Sequence, residues 1–174
     1  LKLYSGVDTS VSTDTLTPAS KMTLDIRLSD KDRFYDIDTV TVRIFHSSVS
    51  ANSQDTEQLK ITIKWRSSDD SLYIENNPGG WGIDYVNSIT PGQSNQSTET
   101  QNLRIVFSPS KITKYSNTGE WLITAAVSSI YPGEIIYSDT LVASCNFYCE
   151  IKINPNNSGI FLKNDTGALY NPLI

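Results

Sequence analysis

Four aspartates lie close together in one stretch of the sequence, SDKDRFYDID, where their spacing could bind a cation. They are Asp30, Asp32, Asp36 and Asp38. Calcium prefers clustered carboxylate and carbonyl oxygens on a loop. Lys31 and Arg33 interrupt the cluster, however, and the EF-hand spacing is missing, which favours a solvated acidic turn. The sequence is therefore compatible with a weak calcium site and with a plain acidic turn. The same two alternatives apply to a second acidic group, Asp69, Asp70 and Glu75.

Aromatic residues are the second group that could bind a ligand, because flat rings stack on the apolar faces of sugars. Trp81 is the best candidate, since the stretch NNPGGWGIDY is rich in glycine and such loops expose rings, and Tyr85 follows it closely. Packing of Trp81 within its own loop is the alternative. Trp65 and Trp121 fall in phase with apolar strand positions, so we expect them in the core.

Residues for catalysis are scarce. His46 is the only histidine, and no G-x-S-x-G nucleophile motif accompanies it. We expect it at the surface or half-buried at a strand end. Glutamates 99, 120, 134 and 150 supply carboxylates, but no pair is marked as facing across a cleft. The sequence therefore predicts a non-enzymatic protein without a cofactor, with calcium the one ion to consider.

Cys145 and Cys149 form the motif CNFYC. In a straight strand they would be roughly 13 Å apart at about 3.3 Å per residue. The Cα atoms of a disulfide lie within about 7 Å of each other, so a bridge requires a turn or bulge at residues 146–147. A local disulfide and two small buried side chains both stay open. Zinc is not expected, because no second Cys/His pair exists.

The composition limits the setting. The chain has 174 residues, a mass of 19.3 kDa, a net charge of −5 and a pI near 4.8. This acidity argues against a nucleic-acid binder, and no apolar run reaches the ~18 residues of a membrane span.

The start LKLYSGVDTS is typical of a mature or excised piece. Sequons at Asn95, Asn156 and Asn164 are glycosylation candidates if the chain is extracellular, although Ser, Thr and Asn make up 53 residues and produce such motifs readily.

Alternation of apolar and polar residues dominates the chain and predicts an all-β fold of antiparallel strands, each with one wet face. No window shows a sustained helical period. The turn-rich stretches between the strands indicate a β-sandwich. The predicted strands lie at 22–28, 37–45, 59–65, 103–107, 121–127, 135–143, 147–153 and 160–163.

The stretch FSPSKITKYSNTGEWLITAAVSS resembles a pattern in immunoglobulin-like domains of large bacterial and archaeal surface proteins. The matching positions are Phe107, Pro109, Lys111, Ile112, Gly119, Trp121 and Ile123, with 36–44 and 61–65 as earlier strands. The resemblance covers roughly residues 20–145. It implies an antiparallel immunoglobulin-like β-sandwich with an extracellular structural or adhesive role. Ser128 and Ser129 stand where these domains often carry an aspartate, which puts the family's calcium site in doubt.

Residues 1–147 are expected to form this sandwich, and residues 148–174 a C-terminal β extension made of last strands, a linker or a donor strand. Residues 1–7 and 168–174 are both short and apolar. Either could complete an open sheet edge of a neighbouring copy, or serve as an ordinary strand of its own sheet. We therefore expect an extracellular structural subunit that binds its own copies or neighbouring surface domains and builds a filament or surface layer. The alternative is a carbohydrate-binding or adhesive module that uses Trp81 and Tyr85.

Overall fold

The computed structural model describes residues 1–29, 37–49, 59–77, 80–92, 100–111, 113, 119–129, 135–146, 150–153, 160–163 and 169–170. Every regular element in these ranges is a β-strand, so the all-β prediction is confirmed for them. The strands are β1 Lys2–Ser5, β2 Thr15–Leu16, β3 Met22–Ser29, β4 Ile37–His46, β5 Lys60–Arg66, β6 Ser71–Asn76, β7 Gly82–Ile83, β8 Thr100–Ser108, β9 Trp121–Ser129, β10 Ile135–Cys145, β11 Glu150–Ile153, β12 Ile160–Lys163 and β13 Leu169–Tyr170.

These strands form three sheets. One has four strands in the order β1-β3-β8-β7, and another has six in the order β2-β10-β9-β4-β5-β6. The third contains β11-β12-β13, which pair antiparallel with one another. All pairs in the two larger sheets are antiparallel except β2 with β10, which run parallel through Thr15–Leu16 and Ser144–Cys145. The chain thus leaves β1 in one sheet and enters the other at β2.

The two larger sheets share one apolar core, and the alternation of each strand explains why. Leu24 and Ile26 of β3 face inward from the four-stranded sheet, while Val42 of β4 and Ile63 of β5 do so from the six-stranded sheet. Each is at most 4% exposed. The intervening residues point to the other face of each sheet, where Asp25 and Thr41 are half-buried but Thr62 of β5 is 4% exposed.

Three aromatic rings join the sheets at one end of the core. Trp81 precedes β7 and stacks on Phe107 of β8 with ring centroids 6.1 Å apart. Its other contact is Trp121 of β9, at 5.6 Å and a tilt of 51°. Trp65 and Trp121 are at most 1% exposed, which confirms the prediction that both lie in the core. His46 was predicted at the surface or half-buried, and this is wrong: it is fully buried and packs edge-on against Trp121.

Candidate functional site

The outer edge of β10 is only partly paired among the described residues, and β6 forms the opposite edge of the same sheet. The N–H of Ser144 points away from β9 and donates to the carbonyl of Asp14 at 2.8 Å. Because hydrogen-bonding direction alternates along an antiparallel strand, the backbone groups of Val142 and Thr140 point to the same side. Strand β2 pairs only with Ser144 and Cys145. The Thr140 N–H is bonded to the carboxylate of Asp139 at 2.8 Å, and no described residue pairs with Val142 on this side.

A groove of about 360 Å³ runs beside this edge. Leu141 of β10 forms one wall, and Leu3 and Tyr4 of β1 contribute to the opposite side together with Ser12 and Thr13. Val142, one residue further along β10, is 48% exposed. The groove therefore places leucine side chains among polar ones next to the residue whose outward backbone groups are unpaired, and an added β-strand uses both kinds of contact.

The edge of β1 is closed, in contrast to that of β10. The segment from Val11 to Thr13 folds back along β1: the N–H of Ser5 donates to the carbonyl of Val11 at 3.0 Å, and the N–H of Thr13 donates to the carbonyl of Leu3 at 2.9 Å. These bonds satisfy the backbone groups that an incoming strand would need.

The edge of β8 is closed in the same way by the segment that contains β7. Asp84 donates its N–H to the carbonyl of Val106 at 2.8 Å. The N–H of Val106 donates to Oγ of Ser88 at 2.9 Å, so a side chain takes the place of a ladder partner. Ile89 then exchanges two backbone hydrogen bonds with Arg104. This edge offers little to an incoming strand.

Trp81 was expected to expose its ring on a glycine-rich loop, and this prediction is wrong. It is 3% exposed, and its ring is covered by Phe107 and Trp121. The side-chain amide of Asn77 holds the Trp81 backbone at both its N–H and its carbonyl, each at 2.7 Å. The ring is packed rather than exposed, and it packs against β8 and β9 rather than within its own loop.

Tyr85 is exposed, as a ligand-stacking ring requires. It is 58% exposed, and Val86 and Ile89 nearby are 92% and 51% exposed. Tyr85 lines a groove of about 470 Å³ together with Ile83 and Lys21. The sequence pattern singles out Tyr85 but not Val86, whose exposure depends on how the turn folds.

Asp84 holds the turn that carries these exposed side chains. Its carboxylate accepts a hydrogen bond from Lys21 and two from Asn87, one from the backbone N–H and one from the side chain. The Lys21 ammonium, followed by the Asn87 amide, lowers the pKa of Asp84 to about 2. The carboxylate therefore stays ionised, and the turn stays braced, at any pH near neutrality.

Most of the first predicted acidic cluster cannot be compared with the structure. Asp30, Asp32 and Asp36 lie outside the described residues, so the calcium site stays a prediction there. Asp38 lies in β4 and accepts a hydrogen bond from the hydroxyl of Thr39 at 2.9 Å. No group of three His, Cys, Asp or Glu side chains suited to a metal ion occurs among the described residues.

The second acidic group does not converge on one point. Asp69 is bonded to Arg66 and Glu75 to Lys64. The third member, Asp70, accepts from the indole N–H of Trp65 at 2.8 Å. Each carboxylate is thus engaged with its own neighbour in or beside the β5–β6 hairpin, and a cation site here stays a prediction.

Cys145 lies at the end of β10 and is 2% exposed. Burial raises the pKa of its thiol to about 12. Cys149 lies outside the described residues, so a bridge between the two stays a prediction. The sequons at Asn95, Asn156 and Asn164 also lie outside them.

No model of a known protein family matches this chain, and no curated protein matches it. Within the described ranges there is no helix of the length and hydrophobicity needed to cross a membrane.

Proposed function

We propose that this chain is a non-enzymatic structural module of an extracellular prokaryotic surface, built on an immunoglobulin-like β-sandwich. In variable-type immunoglobulin domains one sheet carries strands A, B, E and D, and the other carries G, F, C, C′ and C″. The order β1-β3-β8-β7 and the stretch β10-β9-β4-β5-β6 of the six-stranded order are similar to that arrangement, with β2 added beside β10, which supports the proposal. The match rests on strand order and direction, not on a shared catalytic or binding residue.

The observation that carries an assembly role is the open edge of β10. An unpaired edge with apolar walls is a template for another chain, and proteins that do not use such an edge usually block it. Here β1 and β8 are blocked by backbone and side-chain hydrogen bonds, whereas no described residue pairs with the outward backbone groups of Val142. We infer that copies of this chain, or neighbouring surface domains, add a strand at β10.

The donor is best assigned to residues 168–174. Residues 1–7 contain β1, which pairs with β3 and places the side chain of Leu3 in the core of its own copy at 2% exposure. Donating that segment would empty its own core, which costs free energy in proportion to the apolar area exposed. Residues 168–174, ALYNPLI, are largely apolar and include β13, which pairs with β12 in the small third sheet, so their donation gives up that pairing but leaves the two larger sheets intact.

A proline at Val142 tests this function directly. Val142→Pro removes an N–H that points to the open edge, and edge strands tolerate proline at such positions. We expect the wild type to form oligomers or fibres by sedimentation and electron microscopy, and Val142→Pro to remain monomeric. Val142→Ala, which keeps the N–H, is the matched control and should assemble. Deleting residues 171–174 should also abolish assembly.

Wild-type protein that stays monomeric at high concentration, with no fibres in native material, would overturn the assembly role. Equal assembly by the wild type and Val142→Pro would overturn the assignment to β10. Melting temperatures of the variants separate a blocked edge from a damaged fold, because only the second lowers them.

A carbohydrate-binding module is the second candidate, and the exposed ring of Tyr85 favours it. With Trp81 buried, Tyr85 is the one of the two predicted aromatics that can stack on a sugar, and Lys21 and Asp84 beside it can hydrogen-bond to hydroxyls. Retention on a glycan array that is lost in Tyr85→Ala, by a protein that remains monomeric, would favour this function over assembly.

A further inference from the structure

Strand β6, Ser71–Asn76, ends the six-stranded sheet on the side opposite β10. It pairs with β5 on one side, and no described strand lies on its other side. The segment contains neither proline nor lysine, two residues with which proteins commonly block an edge. A register shift against β5 comes only after Ile74, so residues 71–74 form a regular strand. β6 is therefore a second edge at which this sheet can be extended.

The backbone groups of Leu72 and Ile74 point away from β5. The N–H of Ser67, directly after β5, donates to the carbonyl of Asp38 in β4 at 2.8 Å. Alternation along the strand then turns the odd-numbered residues of β5 toward β4 and its even-numbered residues toward β6. Tyr73 is paired with an even-numbered residue of β5 and so bonds inward. Leu72 and Ile74 present their N–H and C=O groups to the outside, where no described residue bonds to them.

Two copies of β6 complement each other when they run antiparallel about a twofold axis through Tyr73. In that register Leu72 of each copy lies opposite Ile74 of the other. Each of these two pairs exchanges two backbone hydrogen bonds, so all the outward groups of Leu72 and Ile74 are satisfied. Tyr73 lies opposite Tyr73 in a pair without hydrogen bonds, the kind in which side chains are closest.

The side chains of β6 match in this register as the backbone does. Leu72 and Ile74 are half-buried at the margin of the core, so pairing covers apolar area that is partly exposed in a single copy. Two tyrosine rings meet on the opposite face, and aromatic pairs of this kind stabilise antiparallel strands. Glu75 comes next to Ser71 of the other copy, so like charges do not oppose each other.

A second β6 fits this edge better than the β10 edge of a neighbouring copy does. The outward N–H of Thr140 in β10 is already bonded to the carboxylate of Asp139 at 2.8 Å. The last two residues of β10 are paired with β2. Between residues 140 and 144, β10 thus offers fewer free backbone groups than β6 needs. The proposed donor, residues 168–174, contains Pro172, which has no N–H to give.

We propose that β6 of one copy pairs with β6 of a second copy across this axis and joins neighbouring filaments side by side. Two short strands contribute far fewer residues than the about 20–30 a side of a stable interface, so free chains pair only transiently. Copies held in a row by strand addition at β10 present many β6 edges together, and the high effective concentration favours pairing. The joining of filaments rests on the proposed function, whereas the pairing of two β6 edges does not.

Charges at position 73 test the axis, because each copy meets its own residue there. Tyr73→Lys brings two ammonium groups together and Tyr73→Glu two carboxylates. Electron microscopy should show fibres paired side by side for the wild type and single fibres for each variant. Fibres of the two variants, formed separately and then mixed, should pair again, although both chains keep a negative net charge. Asn102→Lys and Asn102→Glu, at an exposed position of β8, are the matched controls and should pair as the wild type does.

Cross-linking tests the pairing on free chains. In a chain with Val142→Pro and Cys149→Ser, Tyr73→Cys places two thiols at a pair whose Cα atoms are about 4.5 Å apart, within the range of a disulfide. At millimolar concentration under air, the linked dimer should form about tenfold faster than with Asn102→Cys, because pairing raises the local concentration of the thiols.

The outcomes separate this proposal from assembly at β10. The pairing of β6 is overturned if Tyr73→Cys and Asn102→Cys cross-link equally fast, if Tyr73→Lys fibres pair as the wild type does, or if the mixed fibres stay single. Loss of pairing in the Asn102 variants overturns it too, since net charge would then be the cause. Wild-type protein without fibres overturns assembly at β10 and the joining of filaments, and cross-linking still decides whether β6 pairs. Restoration on mixing excludes a damaged fold as the reason for single fibres.

Discussion

Gly119 lies so close to the imidazole of His46 that a Cβ at its position would be 2.7 Å from Cε1 of that ring. The same Cβ would be 2.5 Å from Oγ of Ser47. His46 is fully buried, and its ring meets Trp121 at a centroid distance of 5.7 Å. The backbone of Gly119 has φ of +157°, which side chains rarely adopt. Glycine at this position makes room for the buried histidine.

Gly119→Ala should therefore destabilise the fold. The new methyl group must displace His46 and Ser47 from their packed positions, and overpacking of this kind costs about 2 kcal/mol. For a chain of this size the melting temperature should fall by roughly 5 °C. Thermal unfolding followed by circular dichroism measures the change.

Gly82 provides the control for this substitution. A Cβ there has no heavy atom within 4 Å, and its backbone does not have positive φ. Gly82→Ala should shift stability by less than about 0.5 kcal/mol. Equal losses in the two variants would mean that the contact with His46 is not the cause.

The burial of His46 could have been predicted from the phase of its strand. Val40, Val42 and Ile44 face the core, and His46 is the next residue in that series. Its place at the end of the strand suggested exposure instead. The sequence gives no sign of the hydrogen bond that this buried ring makes: Nδ1 of His46 accepts from the N–H of Ser48 at 3.2 Å, so this nitrogen has its partner inside the protein.

Trp81→Ala should be among the most destabilising single substitutions in the described chain. It removes a ring that touches both Phe107 and Trp121, and large aromatic-to-alanine changes in cores cost about 3–5 kcal/mol. Trp81→Phe should cost clearly less, because Nε1 of Trp81 is buried without a hydrogen-bond partner among the described residues and phenylalanine removes that donor. Urea unfolding curves measure both.

Tyr85→Ala is the matched control for Trp81, since the two aromatics are four residues apart but differ in exposure. With 58% of Tyr85 exposed, its loss should change stability by about 0.5 kcal/mol or less. A Trp81→Ala protein as stable as the wild type would contradict the assignment of this ring to the core.

The long strands were predictable because each buries one face. Strands β3, β4, β5, β8 and β9 were all expected within two or three residues of their ends, since alternation repeats several times in each. Strands β2 and β7 have two residues each, too few for any period, and exist because their partners hold them. In β6, Leu72 and Ile74 do alternate and align with Trp65 and Ile63, but the segment is short and was missed.

The open edge of β10 could not be predicted from the sequence. The edge of β10 is open because β2 pairs only with its last two residues, and the edge of β8 is closed in part because Oγ of Ser88 accepts from a backbone N–H there. No pattern in the neighbouring sequence predicts either feature.

Asp70→Ala should destabilise the β5–β6 hairpin and the segment packed against it. Its carboxylate accepts from Nε1 of Trp65 at 2.8 Å, from Oγ1 of Thr90 at 2.9 Å and from the N–H of Gly92 at 3.2 Å. Truncation leaves the indole N–H of the buried Trp65 unpaired, which costs about 2–3 kcal/mol. Fluorescence of the tryptophans during denaturant unfolding reports the loss.

Asp70→Asn and Asp69→Ala complete that experiment. Asparagine tolerates the φ of +52° at position 70 and keeps an acceptor for Trp65, so Asp70→Asn should lose less stability than Asp70→Ala. Asp69 forms an exposed pair with Arg66, and its removal should have a smaller effect still. A loss in Asp69→Ala as large as that in Asp70→Ala would show that the turn, not the contact with Trp65, is responsible.

Cys145 should be inert toward alkylation while the protein is folded. Burial raises its thiol pKa to about 12, so at pH 8 its thiolate is on the order of a thousandfold scarcer than that of an exposed cysteine. The same shift implies that stability is fully present below about pH 9 and is lost as the pH rises toward 12, since the unfolded thiol gives up its proton first. Iodoacetamide labelling of Cys149→Ser isolates Cys145. Labelling should be slow in buffer and fast in urea, and equal rates in the two conditions would show that the thiol is accessible in the native fold.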